Sequence, residues 1–333
     1  MSAELKTLLA SIQMAEAQTY RNITVFPLIF HGHGTPEYRT LGEVIQDRSL
    51  IVTEVSQAGS VPNLKVLNQG NRPVLLIDGE ELVGAKQNRV LNLTILAPAG
   101  KSIVIPVSCV EQGRWNYRSR HFEDHDRVLF SKARASKAAR VSECKASCGG
   151  NDADQGEVWI DISDKMGAMR VDSPSMAMED IYIKNARRLE EYVAAIRPLE
   201  GQAGAVFAIN GRIETVELFA WTDTLSRLLP KLVRGCAIDA IEEYRDAIPA
   251  PSREDVEAIL KRVAEAHAVP FSAVGLGEDL RLQAPGLAGG ALSADNELLH
   301  LCAFRLHGEE NRQPLDDGGT IRRRRGARRP QAG

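Results

Sequence analysis

The chain has 333 residues, 44% of them hydrophobic and 26% charged, an ordinary composition for a globular protein in water. That length suits one large domain or two of common size, because single cores stop growing near about 250–300 residues. No apolar run approaches the ~20 residues that cross a bilayer, and Glu4 and Lys6 interrupt the N-terminus where a signal peptide is apolar, so the expected location is cytoplasmic.

The net charge of −3 is unevenly spread. Arg322, Arg323, Arg324, Arg325, Arg328 and Arg329 crowd the C-terminus, among Gly318, Gly319, Gly326 and Pro330. Such a tail should be disordered. It is the one segment expected to touch nucleic acid, and a solvated tail is the plainer reading. Five cysteines are too few for a disulfide framework. Cys144 and Cys148 offer half of a metal site, but no second pair follows at finger-like spacing, so they read as part of a flexible loop.

In chain order, the spacing of Leu5, Leu8, Leu9 and Ile12 predicts a helix over residues 3–18. A strand from Ile23 to Phe30 ends in His31-Gly-His33-Gly34, two imidazoles without an assigned metal. Thr40-Leu-Gly-Glu43 is a capping box ahead of a short helix. Strands follow at 50–55, 63–67, 74–77, 90–96 and 103–110. The Asp78-Gly79 pair among them is a hairpin signal. Beyond residue 124, Lys132, Arg134, Lys137 and Arg140 predict a helix with a solvated basic face, then a mobile loop. Ser173-Pro174 starts a helix, Asn210-Gly211 joins two strands, Leu225 to Tyr244 carries a long apolar stripe, and Ser252-Arg-Glu-Asp255 caps another helix. Leu298–Arg305 closes the pattern as a strand.

The expected class is α+β, an antiparallel β-sandwich or barrel-like N-terminal half with a helix-and-hairpin C-terminal half. Its divisions are an N-terminal helix (1–19), a β-rich domain (20–123), a basic helix and loop (124–158), an α+β domain (159–308) and the tail (309–333).

Two stretches carry the candidate chemistry. In Asp78-Gly-Glu-Glu-Leu-Val-Gly-Ala-Lys-Gln-Asn-Arg89, strand alternation turns Glu80 and Glu81 to opposite sides, one into a cleft and one toward water. Lys86 and Arg89 suit a phosphate; Gln87 and Asn88 suit a sugar or base edge. A hairpin whose charges pair with each other at the surface is the structural alternative. In Val107-Ser-Cys-Val-Glu-Gln-Gly-Arg-Trp115, Cys109 shares a face with Glu111. A neighbouring carboxylate raises a thiol's pKa, so Cys109 is expected to be a buried apolar residue, with Glu111 the acid/base candidate. Arg114, Arg118 and Arg120 alternate with Trp115 and Tyr117, as a surface for a phosphate and stacked base or for single-stranded nucleic acid would, or a strand with an aromatic core and solvated arginines. The geometric expectation is that both stretches line one hollow.

Pro27-Leu-Ile with Gly32 and Gly34, Val52-Thr-Glu-Val55, Leu76 through Arg89, Ile105 through Trp115 and Val216-Glu-Leu-Phe219 resemble a bacterial and archaeal family. It is named for its association with ADP-ribosylglycohydrolases and rhodanese-phosphatase superfamily proteins, and the likeness covers about residues 20–306. The association implies a phosphorylated nucleoside-like ligand, of the nucleotide or ADP-ribose class, that the chain binds or also processes. In that reading Lys86, Arg89 and Arg114 hold phosphate, Gln87, Asn88 and Trp115 hold sugar or base, and Glu80, Glu81 or Glu111 acts as general acid/base or metal ligand. The resemblance leaves the cofactor unassigned. The competing expectation is a non-enzymatic module that docks a partner protein through its charged hairpin.

Overall fold

Gln13–Met14 (β1) and Gln18–Tyr20 (β2) pair in succession along one edge of Ile23–Ile29 (β3). Part of the segment expected as an N-terminal helix is therefore strand. The free edge of β3 offers a row of backbone partners, and these outweigh a helical spacing of four apolar residues. The structure, a computed structural model, describes Leu9, residues 11–30 and residues 37–307. The His31-Gly-His33 turn and the arginine-rich tail lie outside the described residues.

Arg39–Thr40 (β4) leads into a short helix, Leu41–Gln46 (α1), whose Glu43 carboxylate accepts from the Thr40 backbone and hydroxyl as the capping box predicts. Leu50–Glu54 (β5), Asn63–Asn68 (β6), Val74–Leu76 (β7), Glu80–Gly84 (β8), Arg89–Leu91 (β9), Ile95–Ala97 (β10), Ser102–Cys109 (β11) and Phe122–Val128 (β12) follow. The run expected as one strand at 90–96 is thus two, β9 and β10, lying in different sheets. Six strands form an antiparallel sheet in the order β12-β8-β9-β11-β6-β5, which curls so that β5 and β12 touch. A small sheet, β10-β7-β4, lies beside it.

Asp78-Gly79 does not close a hairpin, because β7 and β8 belong to different sheets. Gly79 (φ 81) turns the chain between them, where a side chain would meet Arg134 at 2.9 Å. The actual hairpin joins β8 to β9 through residues 85–88.

The second half begins with three helices, Ser131–Cys148 (α2), Gln155–Met169 (α3) and Met178–Ala195 (α4). Cys144 and Cys148 are helical, not loop. Nor is α2 a solvated basic face. Arg134, Lys137 and Lys145 are buried, each against carboxylates remote in sequence: Asp78 and Glu217, Asp78 alone, and Asp279. The connection to α3 is held too, since Ala153 is buried and the Asn92 amide donates to Asn151 O.

Gln202–Ile209 (β13) and Arg212–Phe219 (β14) form the expected hairpin, with Asn210 (φ 48) and Gly211 (φ 73) both left-handed as a two-residue turn requires. A Cβ on Gly211 would lie 2.6 Å from Pro249 O. Gly211→Ala should destabilise by at least about 1–2 kcal/mol from backbone conformation alone. A urea midpoint unchanged from wild type would contradict that.

The long helix Thr222–Glu242 (α5) carries Pro230 inside it. Arg253–Glu265 (α6) is capped by Ser252 and Asp255 as expected. His267–Ser272 (β15), Glu278–Ala284 (β16), Leu287–Ala294 (β17) and Glu297–Arg305 (β18) complete an antiparallel sheet in the order β1-β3-β13-β14-β18-β17-β16-β15. Alternation gives this sheet two apolar faces. Phe26, Leu28, Val206, Val216 and Leu218 meet Val256 and Val263 of α6. Ile23, Val25, Ala205, Phe207 and Phe219 face the main core with Leu225, Leu229 and Val233 of α5. The fold is α+β. Among the described residues, no helix is long and apolar enough to cross a membrane.

Candidate functional site

The β8–β9 hairpin is buried along its whole length, with residues 74–98 all shielded. It is therefore not a surface hairpin with solvated charges. Charges enclosed in this way must find partners or shift their pKa, and each does so differently.

Glu80 and Glu81 do turn to opposite sides, but both are fully buried, so neither meets water. Glu80 accepts from Lys231 Nζ of α5 at 2.7 Å and from the Ile77 amide at 2.8 Å. Lys231 also bonds the Asp124 carboxylate at 2.9 and 3.0 Å. Glu80 thus belongs to a buried triad facing α5. Glu81 faces the other way, 3.6 Å from Arg127 Nη1, too far for a hydrogen bond. Burial pushes its carboxyl up to about 8; Arg127 works against the shift, and the negative charges of Glu179 and Glu111 add to it.

The turn of the hairpin is bound to the end of β11. Ala85 sits at φ 39, a left-handed conformation uncommon for a residue with a Cβ. Arg114 folds back so that its guanidinium clasps Glu111 through Nε to Oε1 (2.8 Å) and Nη2 to Oε2 (2.6 Å). Its remaining donors reach Ala85 O (2.7 Å), Asn116 O (2.9 Å) and Asn88 Oδ1 (3.1 Å). Glu111 also accepts from Ser175 Oγ (2.9 Å) and the Asn88 amide (3.2 Å). Burial would raise Glu111; Arg114 and Ser175 outweigh it and hold the carboxylate below its ordinary range. Residues 111–121 are consequently a loop pinned to the hairpin, not the extended run in which Arg114, Arg118 and Arg120 would share one face. Their positions are set by Arg114 and by the Arg118 amide donating to Ala85 O.

On this platform sits Arg89. Its side chain is fully buried and Nη1 donates to Gln87 Oε1 (3.2 Å) and Asn88 O (3.4 Å). Among the described residues, Nε and Nη2 have no hydrogen-bond partner; Glu54 Oε1 stands 3.9 Å from Nη2. Cys109 is buried beside it, its Sγ donating to Gln87 Oε1 at 3.0 Å; its thiol is raised as expected, but burial is the main cause and the Glu111 charge that the sequence pointed to adds least. The Trp115 ring, 41% exposed, covers the group: Lys86 Nζ lies 5.1 Å and the Arg89 guanidinium carbon 5.7 Å from its centre. Lys86 is also 5.2 Å from the Tyr117 ring and donates to Ala58 O.

Lys86, Gln87, Asn88, Arg89, Glu111, Arg114 and Trp115 therefore converge, with Glu81 one residue layer away through Glu179, which accepts from Arg127, His125, Arg118 and Asn88. Glu80 does not join them. Sequence reading left out Glu54 and Glu179. Glu54 was legible, since alternation from Leu50 and Val52 places it on the buried face of β5. Glu179 comes from the first turn of α4 and carries no such signal.

A second buried set lies between α2 and β14. Asp78 meets Lys137 (2.5 Å) and Arg134 (3.2 Å); Arg134 meets Glu217 (2.5 Å); Glu217 meets His300 Nε2 (2.8 Å), whose Nδ1 meets Thr94 (2.8 Å). Glu217, His300 and Cys302 place donor atoms within 4.8 Å of one another. The Glu217 and His300 atoms are already bonded to protein groups, and Arg134 repels a cation. The set reads as structural.

The raised Glu81 carboxyl gives a pH prediction. A folded-state value near 8 against an ordinary unfolded one means the folded chain keeps a proton that the unfolded chain has lost between about pH 4.3 and 8. Stability should fall across that window and level off above it. Glu81→Gln should lack this fall, so its urea stability should gain on wild type as pH rises from 5 to 8. Parallel curves would refute it.

The family model described as the ARG and Rhodanese-Phosphatase-superfamily-associated Protein domain matches residues 11–304. Searches of curated proteins and of solved structures find no match. The match takes in the hairpin, the β11 motif, α4 and the whole of the large sheet, and by it the chain belongs to the ARG and Rhodanese-Phosphatase-superfamily-associated Protein family.

Proposed function

We propose that the chain binds, and through Glu81 can process, a phosphorylated nucleoside-like ligand of the nucleotide or ADP-ribose class. The observation that carries the reading is the Arg89 guanidinium, buried with Nε and Nη2 making no hydrogen bond among the described residues and the Glu54 carboxylate no nearer than 3.9 Å. A buried cation with open donors is costly unless an anion completes it, and a guanidinium matches two oxygens of a phosphate. Lys86 adds a second positive charge beside it, under the same ring. Trp115 and Tyr117 supply exposed aromatic faces for a base, whose stacking contributes about 1–3 kcal/mol. Arg114, with its donors engaged by Glu111, Ala85 and Asn88, acts as a positioning residue for this platform. Glu81 holds a proton near neutral pH and is the acid/base group of the reading. The family's association with ADP-ribose-related proteins points to the same ligand class. The burial of the hairpin charges supports a small ligand over a protein partner docked through them.

The test is thermal shift and calorimetry with ADP-ribose, NAD and nucleotides, each with and without divalent metal. A ligand held at 100 times its Kd stabilises the native state by about 2.7 kcal/mol. Arg89→Gln should abolish the shift and Trp115→Ala should weaken binding by about 5- to 150-fold, the stacking energy of one base. Absence of any shift across the panel, or a shift that survives both substitutions, would overturn the proposal.

A further inference from the structure

The proposed ligand site makes no use of Cys144 and Cys148, which occupy the last turn of α2 with their Sγ atoms 3.4 Å apart. Four-residue spacing on an ideal helix separates the Cα atoms by about 6.2 Å, from its rise and radius. That lies within the roughly 4.4–6.8 Å that a disulfide spans. The chain beyond the helix leaves room for both sulfurs. Gly149 is left-handed (φ 70), and a Cβ on Gly150 would lie 2.9 Å from Cys144 Sγ and 3.2 Å from Cys148 Sγ. Lys145, between the two, is anchored to Asp279 at 2.9 Å, so only the turn after it need open.

The two thiols are not equivalent. Cys148 is exposed, and the Gly150 amide directed at its sulfur, with Cys144, holds the thiol below its ordinary range. Cys144 is half-buried, and burial raises it. Cys109, Cys236 and Cys302 are buried. One accessible, more acidic thiol beside a sheltered second is the arrangement of an attacking and a resolving cysteine.

We propose that Cys144 and Cys148 form a reversible dithiol–disulfide site that exchanges with low-molecular-weight disulfides. The Cys148 thiolate attacks one sulfur of the small disulfide, forming a mixed S–S bond and expelling one small thiolate. Cys144, its proton lost to water, then attacks Cys148 Sγ, forming the Cys144–Cys148 bond and expelling the second small thiolate. Two protein thiols are oxidised, one disulfide is reduced to two thiols, and the two protons pass to the leaving thiolates.

The test equilibrates the full-length protein in glutathione buffers from reducing to oxidising, quenches with acid, alkylates free thiols and reads peptides by mass spectrometry. Wild type should gain a Cys144–Cys148 disulfide under oxidising conditions and lose it on return to reducing ones. Cys109, Cys236 and Cys302 should take up alkylating agent only after denaturation. Cys144→Ser should retain glutathione on Cys148, whereas Cys148→Ser should leave Cys144 mostly free. Circular dichroism matching wild type confirms that both variants fold. A wild type that carries glutathione on Cys148 at every oxidising ratio without an internal bond, or stays a dithiol throughout, would overturn the proposal.

Discussion

Lys231→Met should lose about 3–5 kcal/mol of stability, the usual result of stranding a buried charge. Lys231 is buried in α5, and its ammonium holds Glu80 and Asp124 together from within 3.0 Å. Burial works against its charge, but the two carboxylates outweigh it and raise the lysine well above its ordinary value. Without the ammonium, two carboxyl groups face each other away from water. Protonation relieves them, so the deficit should be largest near pH 7 and above. It should shrink as pH falls toward 4, where the unfolded chain protonates too. Removing all three charges, as Glu80→Gln, Asp124→Asn and Lys231→Met together, should recover more than half of the loss, because nothing buried is left unpaired. Urea titrations at pH 4.5 and 7.5 read both effects. A single-variant loss below about 1 kcal/mol, the range of exposed pairs, would mean that water reaches the triad.

Arg114→Met should free the loop that carries Trp115 and Tyr117. The guanidinium joins Glu111, Ala85, Asn88 and Asn116, and no ammonium can occupy that fork, so Arg114→Lys should behave much like Arg114→Met. The variant also leaves the Glu111 carboxylate short of its strongest partner, a loss of about 1.5–3 kcal/mol for hydrogen bonds to a charged group. The larger effect is local. Arg118 and Arg120 lie in the same loop, and trypsin cleavage after them should accelerate at least tenfold, following an opening easier by about 1.4 kcal/mol. Ligand binding, if carried by the platform, should fall with it. Unchanged cleavage would show that Gly113 N to Ser175 O and Arg118 N to Ala85 O are enough to hold the loop.

What the sequence disclosed was what neighbouring residues decide among themselves. Asn210-Gly211 and the Thr40 and Ser252 caps are resolved within four residues, and each folds as read. Asp78-Gly79 has the same local signature as Asn210-Gly211, yet it joins two sheets, because β7 finds β10 and β4 while β8 finds β12. Arg134 and Lys137 carry no mark that distinguishes them from solvated residues of a basic helix. Their burial follows from Asp78 and Glu217, 56 and 83 residues from Arg134, which only the assembled fold brings near. The candidate site lies between these cases. The convergence of Lys86, Arg89, Arg114 and Trp115 was readable from two dense polar motifs. The retreat of Glu80 toward α5 was not, since it depends on a lysine 151 residues away.

The place of β3 in the large sheet has a consequence for synthesis. Its residues emerge first among those of the sheet's interior, yet the strand that covers its inner edge is β13, ending at Ile209. During translation, the inner edge of an apolar ribbon, Ile23 to Ile29, must therefore wait unpaired, with only β1 and β2 on its other edge, while some 170–180 further residues are made, roughly 9–35 seconds at ordinary elongation rates of about 5–20 residues per second. Nascent chains stalled before residue 202 should be the species most prone to clump and to engage chaperones, and chains stalled well past 219, once the exit tunnel is cleared, should escape that fate.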